Sequence, residues 1–90
     1  MINQQTSRVN WNEVLDNSQM SKAAIDFSLG VMSGETFKFY ASVLGYGGEI
    51  RNFVRYRGVS GSRTLTRKAL KRRNLLNKNN LANPMVYAQL

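Results

Sequence analysis

A chain of 90 residues makes one domain and buries only about two thirds of the surface its unfolded form exposes, so its own stability is modest. It has no cysteine and no histidine, which excludes a disulfide framework, a thiolate metal site and a Cys/His zinc site. The net charge of +8 is unevenly laid out: residues 1–50 carry Arg8, Lys22 and Lys38 against Glu13, Asp16, Asp26, Glu35 and Glu49 (−2), whereas residues 51–90 carry ten cations and no acid (+10).

An apolar fraction of 42% with nine aromatic residues is too high for a wholly disordered chain and implies a folded centre. The opening Met1-Ile2-Asn3-Gln4-Gln5-Thr6-Ser7-Arg8 has no basic region followed by an apolar core. No stretch approaches the ~20 apolar residues that span a bilayer. The expectation is a protein of the cytoplasm or nucleoid, or one packaged in an assembly.

In chain order, Asn10 is placed to cap a short helix whose apolar side is Trp11, Val14 and Leu15. Ser18 or Ser21 restarts a helical pattern in which Met20, Ala23, Ala24 and Phe27 fall at i, i+3, i+4 and i+7, the spacing of one buried stripe, with Gly30 and Gly34 bracketing its end. The segment from Glu35 to Leu44 fits two periods. Phe37, Tyr40, Ala41 and Leu44 suit a helix, while Phe37, Phe39, Ala41 and Val43 suit a strand. Its aromatic and β-branched composition favours the strand, and the same holds for Ile50 to Tyr56, so a short antiparallel ribbon is expected over about residues 36–57. Gly45-Tyr46-Gly47-Gly48 lacks the ending of a phosphate-binding loop and reads as a turn or hinge.

After Gly58-Val59-Ser60-Gly61, a basic helix is expected over about residues 63–77, capped by Ser62 or Thr64, with Leu65, Ala69 and Leu76 on its apolar side. Pro84 stops any helix, leaving residues 84–90 as an extended apolar tail after a single domain of residues 1–83. The fold class expected is therefore α+β, with amino-terminal helices, a short ribbon and a basic carboxyl-terminal helix; an all-α fold is the alternative.

At ~100° per residue, Arg63, Arg67, Lys71 and Lys78 form one ridge of the last helix, with Lys68, Arg72 and Arg73 flanking it. Solvated helix faces usually mix acids with bases, and here no acid occurs. Such a ridge suits phosphates, because each one neutralised releases condensed counterions. On the expected strand, Arg51, Phe53, Arg55 and Arg57 share a face, interleaving guanidinium groups with a ring as on sheets where bases stack, although a lone Phe is more often core. Glu13 and Asp16 stand at i and i+3 with no third ligand nearby, which fits a solvated helix better than a metal site. Trp11 is core or a partner anchor.

No nucleophile and base arrangement is legible, so no enzyme, metal or cofactor is expected. The expected function is sequence-tolerant binding of DNA or RNA along the phosphate backbone, through Arg51, Arg55, Arg57, Arg63, Arg67, Lys68, Lys71, Arg73 and Lys78. The alternatives are a structural or accessory subunit of a virion or ribonucleoprotein, self-assembled or not, and an inhibitor whose basic half docks on an acidic protein surface or in a nucleic-acid-binding groove.

Overall fold

The structure, a computed structural model, describes residues 9–76. Lys78 and the tail expected over residues 84–90 lie outside the described residues. The chain forms α1 (Trp11–Asp16), α2 (Ser18–Ser28), α3 (Gly34–Val43) and α4 (Gly47–Arg72), with no strand among the described residues. The expected ribbon over 36–57 is therefore wrong, and the fold is a small all-helical one.

The reason lies in which period the core uses. In α3 the buried positions are Gly34, Phe37 and Ala41, while Phe39 and Val43, which a strand would bury beside them, are 64% and 65% exposed. In the first part of α4 Ile50, Phe53 and Val54 are buried at i, i+3 and i+4, again a helical stripe. β-Propensity measures fit to a pleated, half-buried surface, and it yields to tertiary packing of a helical stripe.

Local capping sets the boundaries. The Asn10 side chain accepts from the Glu13 amide, that of Asn17 from the Gln19 and Met20 amides, and Ser33 Oγ from the Thr36 amide, so α1, α2 and α3 each begin on a side-chain cap. Three helices end alike, with the residue after the C-cap at positive φ: Gly30, Gly45 and Asn74. After α4 the Asn74 amide donates to the Lys71 carbonyl and the Leu75 amide to the Leu70 carbonyl, the double bond of a Schellman motif. That motif ends the basic helix at Arg72, short of the expected residue 77.

Inside α4, Gly58 adopts φ 75°, ψ 166°, a conformation essentially reserved for glycine, and it kinks the helix into arms of residues 47–57 and 59–72. The expected Gly58–Gly61 turn is thus a kink at its first residue, and Gly61 lies within the helix.

The core gathers Val14, Leu15, Met20, Ala24, Phe27, Phe37, Ile50, Phe53 and Leu70, with α4 packed against both α2 and α3. Phe27 stacks on Phe37 with centroids 4.3 Å apart, and Trp11, half-buried, meets Phe53 edge-on at 5.3 Å. Phe53 is 2% exposed, so the base-stacking role considered for it is closed off in this fold.

Candidate nucleic-acid interface

The second arm of α4 buries Ser62, Thr66, Ala69 and Leu70. Two of these are polar, yet their hydroxyls are satisfied within the helix: Ser62 Oγ donates to the Val59 carbonyl at 2.9 Å and Thr66 Oγ1 to the Ser62 carbonyl at 2.7 Å. With those bonds made internally, both side chains pack as small apolar groups. The buried stripe is therefore rotated from the Leu65–Ala69–Leu76 side by roughly 70°. The expected cationic ridge splits as a result.

Arg63 and Arg67 turn inward to the carboxyl-terminal end of α2. Arg63 Nε donates to the Phe27 carbonyl at 2.9 Å and its Nη2 to the Met32 carbonyl at 3.0 Å, with the guanidinium 5.0 Å from the Phe27 ring centroid. Arg67 Nη2 donates to the Ser28 carbonyl at 2.6 Å. A helix end carries partial negative charge on its last carbonyls, and both arginines answer it, Arg63 sharing the Phe27 carbonyl with the Gly30 amide. Arg73 is likewise engaged, donating to the Asn12 carbonyl at 3.1 Å and pairing with Asp16 at 2.7 Å. Asp16, weighed above as half of an acidic pair, is thus a salt-bridge partner that ties α1 to the end of α4.

The remaining cations face solvent. Arg51, Arg55 and Arg57 are exposed on the first arm, and Lys68, Lys71 and Arg72 on the second. None of these six forms an ion pair with a described residue, since the ion pairs there are Lys38–Glu35 and Arg73–Asp16. Arg72, which flanks the expected ridge but was not among the residues expected to bind, is exposed as well. Glu49, the acid of α4, is turned away, its carboxylate accepting from the Asn10 amide at the entry to α1. Sequence reading found five of the six exposed cations but could not separate them from the three that are structurally engaged. The separating signal was the pair Ser62 and Thr66, whose spacing with Ala69 and Leu70 marks the true buried stripe.

The described residues hold no group of three or more His, Cys, Asp or Glu placed to bind a metal ion, and no helix long and apolar enough to cross a membrane. Comparison with protein-family models, curated proteins and solved structures finds no match.

Proposed function

We propose that this chain binds nucleic acid along the phosphate backbone through the outer surface of α4, with little dependence on base sequence. The observation that carries the reading is the set of six exposed cations spread over both arms of α4, free of acidic partners among the described residues. Contacts of that kind fix position and strength rather than sequence, because phosphates are the same at every step. The contact set is Arg51, Arg55, Arg57, Lys68, Lys71 and Arg72; Arg63, Arg67 and Arg73 support it by holding α4 to α2 and α1.

The test is anisotropy titration of a duplex DNA, a single-stranded DNA and an RNA of equal length at fixed salt. Arg51→Glu with Arg55→Glu, and separately Lys68→Glu with Lys71→Glu, are expected to weaken binding of all probes by tenfold or more, while melting curves stay close to wild type. Tight binding that survives both pairs, or no binding of any probe at low salt, overturns the proposal.

A second reading, an accessory subunit of a larger assembly, draws support from the exposed apolar residues of α3, Phe39 and Val43. It predicts that charge reversal on α4 leaves assembly intact while Phe39→Ser with Val43→Ser dissolves it.

A further inference from the structure

A helix packed on a core hides a residue every three or four positions. Most of α4 obeys this, with Ile50, Phe53 and Val54 buried on the first arm and Ser62, Thr66, Ala69 and Leu70 on the second. Between them the rule fails: every residue from Arg55 to Ser60 is exposed. Gly58, with its non-helical φ and ψ, interrupts the rotation there, so neither buried stripe runs through the bend. The bend is a knuckle carried outside the core. It is held to the body at Val59, whose Cγ2 lies 3.2 Å from where a Cβ on Gly34 would stand. Its outer side is open, since a Cβ on Gly58 would meet nothing within 4 Å.

The knuckle presents a ring between two cations. Phe53 and Tyr56 are the aromatic residues of α4; the first is core, and the second is 52% exposed. Arg55 and Arg57 precede and follow Tyr56, and at ~100° per residue they project to either side of it. Tyr56 makes no ring contact and no hydrogen bond with another described residue, so the fold does not use its ring. The remaining exposed rings, Phe39 and Tyr40, lie on α3 and meet edge-on. A single exposed tyrosine is ordinary on any surface. One placed on a protruding bend, with an unpaired arginine on each side, has the composition of surfaces that hold single strands. There, cations track the backbone and bases stack on rings without regard to sequence.

We propose that the bend of α4 is a contact for unpaired bases, with one base stacked on the Tyr56 ring and Arg55 and Arg57 on the phosphates beside it. The proposal rests on the reading of α4 as a phosphate-binding surface and names its substrate class, single-stranded DNA or RNA. A duplex already covers its base faces by stacking, and a side chain inserted between them must first unstack a step. Charge alone points the other way, because counterion release per phosphate is larger on duplex DNA than on a single strand. A preference for single strands therefore reports the ring.

The test is anisotropy titration of the full chain with oligothymidine, oligouridine and a DNA duplex of equal length at one low salt concentration. Wild type is expected to bind both single strands more tightly than the duplex. Tyr56→Ala should weaken the single strands roughly tenfold and the duplex less than twofold. Its salt slope and melting curve should match wild type, since no charge is removed and the position is exposed. Tyr56→Leu, which keeps apolar bulk without a π-face, should fall with the alanine variant, and Tyr56→Phe should stay with wild type. A duplex preference in wild type, equal losses on single strand and duplex, or full binding by Tyr56→Leu overturns the stacking contact. Salt-dependent binding in those cases leaves the phosphate-binding surface standing. Absence of binding to every probe overturns both.

Discussion

Arg63 illustrates how one side chain can look functional in sequence and act in the fold. Its guanidinium bonds two carbonyls beyond the reach of its own helix and lies over the Phe27 ring. Hydrogen bonds from charged groups contribute about 1.5–3 kcal/mol each, and the Phe27 carbonyl keeps the Gly30 amide if Arg63 is lost. Arg63→Met, which keeps the aliphatic bulk, is therefore expected to cost about 2 kcal/mol and lower Tm by roughly 8–16 °C, on a scale of about 4–8 °C per kcal/mol for so small a domain. Arg55→Met, at an exposed position, should leave Tm nearly unchanged. Paired melting curves decide it, and equal Tm values would remove the structural role assigned to Arg63. Asp26 gives a second prediction at this scale. Its folded carboxyl titrates above the ordinary value of 3.8, so its charge costs stability at neutral pH. Stability contributed by this group should rise as pH falls through the raised folded value and level off below the ordinary one. Asp26→Asn should raise Tm at pH 7 and remove that rise on acidification; a lower Tm for the variant at pH 7 would contradict the assignment. The charges themselves were plain in the sequence. What was hidden was the direction of each arginine, because Ser62 and Thr66 read as polar and yet satisfy themselves within the helix and join the core.

At the scale of elements, the first two helices were legible because their signals agree: α1 has its Asn10 cap and an apolar side, and α2 an apolar stripe at helical spacing with Gly30 after its end. The residue that caps α2, however, is Asn17 and not a serine. Met20, Ala23, Ala24 and Phe27 are buried as that stripe requires. The region from residue 34 to 57 was not legible, because its aromatic and β-branched composition opposes its period. Ser33 breaks the tie by capping α3 through the Thr36 amide. The Gly58–Gly61 stretch also combines two different roles, and a pair of substitutions separates them. A Cβ on Gly58 would meet nothing within 4 Å, so the cost of Gly58→Ala is backbone strain alone, about 1–3 kcal/mol in that region of conformational space. Gly61 lies inside the helix, where an added Cβ would meet Arg57 Cβ at 3.6 Å, ordinary contact. Gly61→Ala should therefore stabilise by about 0.5–1 kcal/mol, the usual gain from replacing a mid-helix glycine. Opposite shifts in denaturation midpoint are expected, and a stabilising Gly58→Ala would mean that the kink is not held by this residue.

For the whole molecule, the division between an acid-bearing first half and an acid-free second half turns into a division of labour along α4. Each of the five acids has a defined contact or position: Asp16 with Arg73, Glu35 with Lys38, Glu49 with the Asn10 amide, Glu13 beside the first cap and Asp26 between α2 and α3. The outer surface of α4 is left with positive charge alone. If this surface takes up phosphates, binding must weaken with salt by an amount that counts the contacts made, since log K falls with log salt at about 0.9 per phosphate on duplex DNA and about 0.7 on a single strand. With six exposed cations available, and some chain geometry unsuited to simultaneous contact, roughly 4–6 phosphates are expected, a slope of about −3.6 to −5.4 on duplex DNA. Removing Lys68 and Lys71 as alanines should reduce the magnitude of the duplex slope by about 1–2 units. Arg63→Met offers the contrasting case: it is expected to weaken folding but, measured where the chain remains folded, to leave the slope unchanged, because its guanidinium is spent on α2. Affinity measured across a series of salt concentrations for the three proteins reads all of this at once. A slope that falls equally for the Arg63 and lysine variants would show that the chain responds to its total charge, and the oriented surface on α4 would have to be abandoned.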